Sequence, residues 1–207
     1  MGLTQATLVV LAGGDSRRMG RPKALLPVGG VTLVEWVVAR LAPGFAHLLV
    51  AAREPDQLPM ALRSHLVRDL HAGAGPLAGV EAALAASPHD IVVAVACDMP
   101  AVTPDLVRRL AAEAGGPYDA AVPRVGGRPE PACAAYRQSS AGPIAAALRE
   151  GRLRAAGALD DLSVRWLDGE DPALFANLNT PEDYRRFVAG PGHTGEYVEA
   201  PSAPSEP

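Results

Sequence analysis

Ile91-Val92-Val93-Ala94-Val95-Ala96, running straight into Cys97-Asp98-Met99-Pro100, is the stretch on which the fold turns. All six residues of the run are apolar, and four are valine or isoleucine. Branched side chains suit a pleated strand and lose rotamer freedom in a helix. A strand with no polar alternation must be covered on both faces, the condition of an inner strand in a parallel sheet. Met99-Pro100 ends it, since proline brings no N–H to a ladder. Asp98 is thereby held at the carboxyl edge of a buried strand.

Outward from this run, strand and helix signals alternate. Thr7 to Leu11 reads as a buried strand that stops at Gly13-Gly14. Thr32 can cap a helix over Leu33 to Leu41, ended by Pro43-Gly44. Short strands are expected at Leu48 to Ala51 and Leu66 to Arg68, then a helix opened by Gly75-Pro76-Leu77-Ala78-Gly79 and reaching about Ala86. Pro104, behind a Thr103 cap, starts a helix to about Ala114. Later strands fall at Ala120 to Val122 and Ala132 to Tyr136, and helices at Gly142 to Glu150 and Pro181 to Val188. The pattern predicts an α/β fold in three layers, Rossmann-like, with a mostly parallel sheet and helices on both faces. One domain is expected over 1–189. Pro, Gly, Ser and Glu dominate 190–207, which is expected to be a disordered tail.

Composition excludes several classes. A net charge of −4 argues against a broad nucleic-acid-binding surface. No apolar run approaches the roughly 20 residues of a membrane span, and the N-terminus lacks the basic start of a signal peptide. A cytoplasmic protein is the expectation. Cys97 and Cys133 have no CxxC partner and no histidine at metal-ligand spacing, so they read as buried free thiols. None of the five histidines has the setting of a general base.

In an open parallel sheet, ligands bind beyond the carboxyl ends of the strands. Two segments fall there: Asp98, and the loop from Leu11-Ala12-Gly13-Gly14 through Ser16, Arg17, Arg18, Gly20 and Arg21 to Lys23. The glycine spacing is neither a dinucleotide fingerprint nor a P-loop. The chemistry still suits phosphate. Paired glycines let successive N–H groups turn towards an anion, and Ser16 adds a hydroxyl. Arg17, Arg18, Arg21 and Lys23 set four cations against the single acid Asp15. Lys23 is the chain's only lysine among 19 basic residues, so a compact ammonium is used where arginine otherwise serves. A solvated basic turn would need the same glycines. Asp98 would equally serve as a turn residue before Pro100 or as an oxygen ligand for Mg²⁺.

The order Leu11-Ala12-Gly13-Gly14-x-Ser16-x-Arg18-Met19-Gly20-x-x-Lys23, then Gly75–Gly79, Cys97–Pro100 and Asn177-Leu178-Asn179-Thr180-Pro181-Glu182-Asp183, resembles the molybdenum cofactor guanylyltransferase family (MobA) over about residues 7–188. The resemblance implies a nucleotide-diphospho-sugar transferase fold. It implies an enzyme that transfers GMP from GTP to the phosphate of molybdopterin-bound molybdenum cofactor, giving a guanine dinucleotide and pyrophosphate. A CTP-using or sugar-phosphate relative, or a non-catalytic nucleotide-binding module, stays open beside it. The resemblance makes Lys23, Arg18 and Asp98 catalytic. It gives nucleotide contacts to Leu11, Ala12, Gly13, Gly14, Ser16, Lys23, Asp69, Gly75 and Asp98. It puts Mg²⁺ on Asp98 and the pterin near Asn177 and Asn179, Asn179 also serving the helix start. Ala51 departs from an asparagine that the family often has there, which leaves base preference open. Partners would be GTP, molybdopterin, and molybdoenzyme apoproteins or their chaperones.

Overall fold

The computed structural model describes residues 4–13, 22–69, 71, 75–152 and 155–190. Gly14, Ser16 and Arg18 lie outside the described residues, as does the segment after Gly190.

The predicted strands and helices form, several at the expected residue. The central sheet contains β1 (Thr4–Leu11), β4 (Phe45–Ala52), β5 (Leu66–Arg68), β6 (Ile91–Ala96), β7 (Ala120–Val125), β8 (Arg128–Pro129), β9 (Cys133–Arg137) and β10 (Val164–Leu167). A small separate hairpin joins β2 (Pro27–Val28) to β3 (Val31–Thr32). The helices are α1 (Leu33–Leu41), α2 (Pro76–Ala86), α3 (Pro104–Glu113), α4 (Ala141–Arg149), α5 (Ala155–Ala158) and α6 (Pro181–Val188).

Strand order is β10-β7-β9-β6-β1-β4-β5, with β8 paired to β7. β1 runs parallel to both β4 and β6, β4 parallel to β5, and β7 parallel to β10. β9 is the antiparallel insertion, pairing β6 on one side and β7 on the other. The chain leaves β1 to build β4 and β5 on one side, then crosses to place β6 on the other. β1 is therefore the switch point of the sheet, where a crevice opens beyond the strand ends.

Alternation along β1 divides the core. Leu8 and Val10 pack with Val34, Val37 and Leu41 of α1 and with Leu106, Val107 and Leu110 of α3. Val9 and Leu11 face the opposite side, with Leu77, Val80 and Leu84 of α2 and Ile144 and Leu148 of α4. The inner residues of β6, Val92 to Val95, are fully buried, as an unbroken apolar strand requires. On the α2 face the layers are very close: a Cβ at Gly79 would lie 2.8 Å from Leu11 Cδ2 and 3.0 Å from Ala51 Cβ. Glycine is what lets this helix approach the sheet.

Helix starts follow local chemistry. Thr32 and Glu35 make a reciprocal capping box, and Thr180 and Asp183 make another. The Thr103 side chain accepts from the Leu106 N–H. A third cluster, Leu26, Val28, Leu33, Leu178 and Tyr184, ties α6 to the β2–β3 hairpin, and the Tyr184 hydroxyl donates to the Pro27 carbonyl. Through that cluster the segment from Leu26 to Leu33 meets the segment from Leu178 to Tyr184. His47 and His89, whose ring centroids lie 6.3 Å apart, are far from the switch-point crevice: His47 is level with Thr7, near the opposite end of β1.

Candidate active site

A cavity of about 340 Å³ opens where β1 and β6 end. Leu11, Ala12 and Gly13 line it from β1, and Ala96, Cys97 and Asp98 from β6. Gly75 and Pro76 border it at the start of α2, with Lys23, Ala132 and Asn177 completing the wall. Most of the sequence-predicted residues among those described thus converge on one space. Asp69 and Asn179 stand just outside this wall, Asn179 in contact with Lys23 and Asp69 facing the position a Cβ on Gly13 would take.

The walls are built by backbone hydrogen bonds that prolong the sheet. Ala12 and Gly13 both donate their N–H groups to Ala51 O, at 2.8 and 3.1 Å, and the Cys97 N–H donates to Leu11 O at 3.0 Å. The N–H groups of Ala12 and Gly13 are therefore spent on the protein. What Ala12 and Gly13 can still offer a ligand is carbonyl oxygen, which suits a ribose or base more than a phosphate. Asp98 sits on a turn closed by the Met99 N–H to Ala96 O.

α2 opens differently. Its N-cap, Gly75, has φ 62° and ψ −151°, a region open essentially to glycine, and no side chain caps the helix. The N–H groups of its first turn, which have no partner within the helix, and the positive end of its dipole border the cavity, a setting that favours an anion.

Lys23 belongs to a short 3₁₀ turn, Lys23–Leu25, held by Leu25 N to Pro22 O and Leu26 N to Lys23 O. Its ammonium donates to Asp98 Oδ2 and to Asn179 Oδ1, each at 2.8 Å. The Lys23 and Asp98 side chains are 18% and 20% exposed, so the pair is mostly shielded from water but reachable from the cavity. The Leu178 N–H donates to Asp98 O at 2.9 Å, which brings the Asn177–Asn179 segment to the strand end. Asn179 therefore does more than start a helix: its backbone N–H meets Asp183 while its side chain holds Lys23. Nothing in the local sequence marked that contact.

Asp69 follows β5. Its N–H donates to Ala52 O, and its Oδ1 accepts from the His71 N–H at 2.9 Å. Its Oδ2 lies 3.7 Å from where a Cβ on Gly13 would stand, at the β1 edge of the cavity. Burial pushes the carboxyl above its usual range, opposed by the His71 N–H and by the charge of Arg53. Cys97, though on the cavity wall, is buried, and burial pushes its thiol far up, so it is no nucleophile at neutral pH. Cys133 is buried and raised in the same way.

The side chains that could meet a cation here carry oxygen donors. Among the described residues, no three His, Cys, Asp or Glu side chains come together into a metal cage. Asp98 is the one carboxylate and Asn177 the one carboxamide on the described cavity wall. Such a set fits a hard cation whose remaining ligands are phosphate and water, as Mg²⁺ takes them.

The sequence profile of the MobA-like NTP transferase domain matches residues 8–164. A molybdenum cofactor guanylyltransferase of Cereibacter sphaeroides is 38% identical over 182 residues, covering 86% of this chain and 93% of that protein. Among solved structures, molybdopterin-guanine dinucleotide biosynthesis protein A of Archaeoglobus fulgidus superposes with a TM-score of 0.73 at 31% identity, covering 87% and 95% of the two chains. A Mycobacterium tuberculosis H37Rv protein solved in complex with manganese superposes at 0.63, with 25% identity over 91% and 100% of the chains. The sheet order and layering are those of the nucleotide-diphospho-sugar transferase fold. Among the described residues no helix is long and apolar enough to cross a membrane.

Proposed function

The chain belongs to the MobA-like NTP transferase family, and from that premise we propose that it transfers GMP from GTP to the terminal phosphate of molybdopterin carrying molybdenum. The products are the guanine dinucleotide cofactor and pyrophosphate. The observation that carries this reading is the Lys23–Asp98–Asn179 cluster at the mouth of the strand-end cavity.

An oxygen of the acceptor phosphate attacks the α-phosphorus of GTP, and the bond to the β-phosphate oxygen breaks. The attacking group is already an anion, so no general base is needed. The barrier is repulsion between phosphates and charge growing on the transferring group, which positioning and electrostatics relieve. Asp98 and Asn177 would hold Mg²⁺, which when bound neutralises phosphate charge and polarises the α-phosphate. Lys23 brings a mobile ammonium to the same oxygens, and Arg18 would add a second cation. The carbonyl oxygens of Ala12 and Gly13 seat the nucleoside, and the open start of α2 faces phosphate. Gly14 and Ser16 would complete the phosphate loop, and Asn179 holds Lys23 in place.

The reading expects a cytoplasmic protein whose product passes to molybdoenzyme apoproteins or their chaperones. The test is incubation with each nucleoside triphosphate, Mg²⁺ and molybdopterin–molybdate. Pyrophosphate release that requires both GTP and the acceptor supports the reading. Nucleotide binding without pyrophosphate would make the chain a binding module instead.

A further inference from the structure

β9 runs antiparallel to β6, with Cys133 level with Val95, and the Ala96 N–H donates to Ala132 O at 2.8 Å. The residues just before Cys133 therefore stand beyond the carboxyl end of β6, the end that carries Asp98. One of them, Ala132, lines the cavity. The turn leading into β9 is held at each of its residues. Pro129 pairs with Arg124 in the β7–β8 ladder, and the Glu130 N–H donates to Pro123 O at 2.9 Å. The Cys133 N–H donates to Glu130 O at 3.0 Å, and the buried Tyr136 hydroxyl donates to Pro131 O at 2.7 Å. Two prolines restrict the backbone further. The side chain at the centre of this fixed turn has nothing to hold. Glu130 is partly buried, and its carboxylate makes no hydrogen bond or ion pair among the described residues. Burial pushes the carboxyl above its usual range, and no partner opposes it. Glu170, the other carboxylate whose charge acts on the Cys133 thiol, is paired with Arg109. An acid kept for stability alone would be paired in the same way or left in water.

We propose that Glu130 reads the acceptor, its carboxylate taking the 2-amino group and the N3–H of the pterin ring as donors. This inference rests on the transferase reading of the cavity. On that reading the nucleoside lies at the end of β1 and the phosphates face the start of α2. An in-line attack brings the acceptor from the side away from the leaving pyrophosphate. In the sheet β9 neighbours β6 on the side away from β1, so its entry turn borders the acceptor's side of Asp98. A pterin presents two N–H donors next to each other on one ring edge, and a carboxylate presents two acceptor oxygens that match them. The turn adds no side-chain donor that would compete, since Pro129, Pro131 and Ala132 have none. A carboxylate on a turn already fixed also loses little freedom when the ligand arrives. Guanine carries the same pair of donors, at N1 and its 2-amino group, so GTP is the rival source. Position favours the pterin, because β6 separates β9 from the strand that seats the nucleoside.

The test is equilibrium binding of molybdopterin–molybdate and of GTP with Mg²⁺, each alone, to the full chain and to Glu130→Gln. The variant should lose roughly tenfold to a hundredfold in acceptor affinity, the range for a lost bidentate contact to a base edge. Its GTP affinity should equal that of the wild type. A second arm displaces the bound acceptor with 6-hydroxymethylpterin or with the matching lumazine, which carries a 2-oxo group in place of the 2-amino group. The pterin should displace at lower concentration than the lumazine from the wild type. Glu130→Gln should lose this preference, since a carboxamide can donate to the 2-oxo group. Equal acceptor affinity in the two proteins overturns the proposal, as do equal displacement by pterin and lumazine from the wild type and a wild type that binds no acceptor. A variant that loses GTP affinity and keeps the acceptor's would assign the carboxylate to guanine and overturn it too. A chain with the predicted preferences that releases no pyrophosphate would support the pterin reader and sink only the transferase reading.

Discussion

Lys23 and Asp98, 75 residues apart in the chain, meet at 2.8 Å between Nζ and Oδ2 on the cavity wall. On the proposed reading Asp98 would hold the divalent cation as well as meet Lys23, and the ammonium would lie close enough to serve the phosphates too, so neither charge would be left unpaired in a shielded site. Asp98→Asn should keep the fold and abolish the Mg²⁺ dependence of GTP binding. Titration of GTP with and without Mg²⁺ checks this; a variant with undiminished Mg²⁺ dependence contradicts it.

Two glycines beside Leu11 should respond in opposite ways. At Gly79 an added Cβ would press on Leu11 and on Ala51 at 2.8 and 3.0 Å, so Gly79→Ala should cost about 1–3 kcal/mol through overpacking. At Gly13 the nearest atom of the described residues, its chain neighbours aside, would be 3.7 Å away, so Gly13→Ala should fit among them but intrude on the cavity. Its melting temperature should stay close to that of the wild type while GTP affinity falls. Thermal melts and nucleotide titration on both variants separate the two effects.

Asp69 carries a pH signature. Burial raises its carboxyl in the folded chain, so folding favours the protonated form. Its contribution to stability is full below the ordinary value of 3.8 and is lost as pH rises through the higher folded value. At neutral pH the ionised carboxylate costs stability, so Asp69→Asn should be more stable than the wild type there. The difference should close as pH falls towards 3.8. Denaturant melts of both proteins across that window test the sign.

α6 supports the site from outside. Thr180 caps it by accepting from the Asp183 N–H at 3.1 Å, and Asp183 Oδ2 accepts from both Asn179 N and Thr180 N. Thr180→Ala should cost about 0.5–2 kcal/mol. Because the same turn orients Asn179 towards Lys23, transfer should slow more than this stability loss explains. A kcat loss persisting at a temperature where the variant is fully folded would show it.

Features that depend on near neighbours were legible in the chain. Thr32, Thr103 and Thr180 announced their helices, and Ile91–Ala96 announced a buried strand, because caps and apolar runs act over a few residues. β10 was not expected: Val164-Arg165-Trp166-Leu167 is short and alternates at the sheet edge, a weak signal beside a loop. Nor could the reversed direction of β9 be read, since pairing direction is decided by partners elsewhere in the chain. Lys23, Asp98 and Gly75 were visible as chemistry at strand and helix ends. The Lys23–Asn179 contact spans 156 residues and depends on the docking of Leu178 and Tyr184 on the hairpin and on the Leu178 N–H bond to Asp98 O.

The most direct test of the account is pyrophosphate release from GTP, Mg²⁺ and molybdopterin–molybdate by the wild type and by Lys23→Ala. The account predicts release by the wild type only when GTP and acceptor are both present, and a rate lower by about 10²–10³ without the ammonium, as for other lost charge-stabilising groups. A Lys23→Ala protein that releases pyrophosphate at the wild-type rate would contradict it.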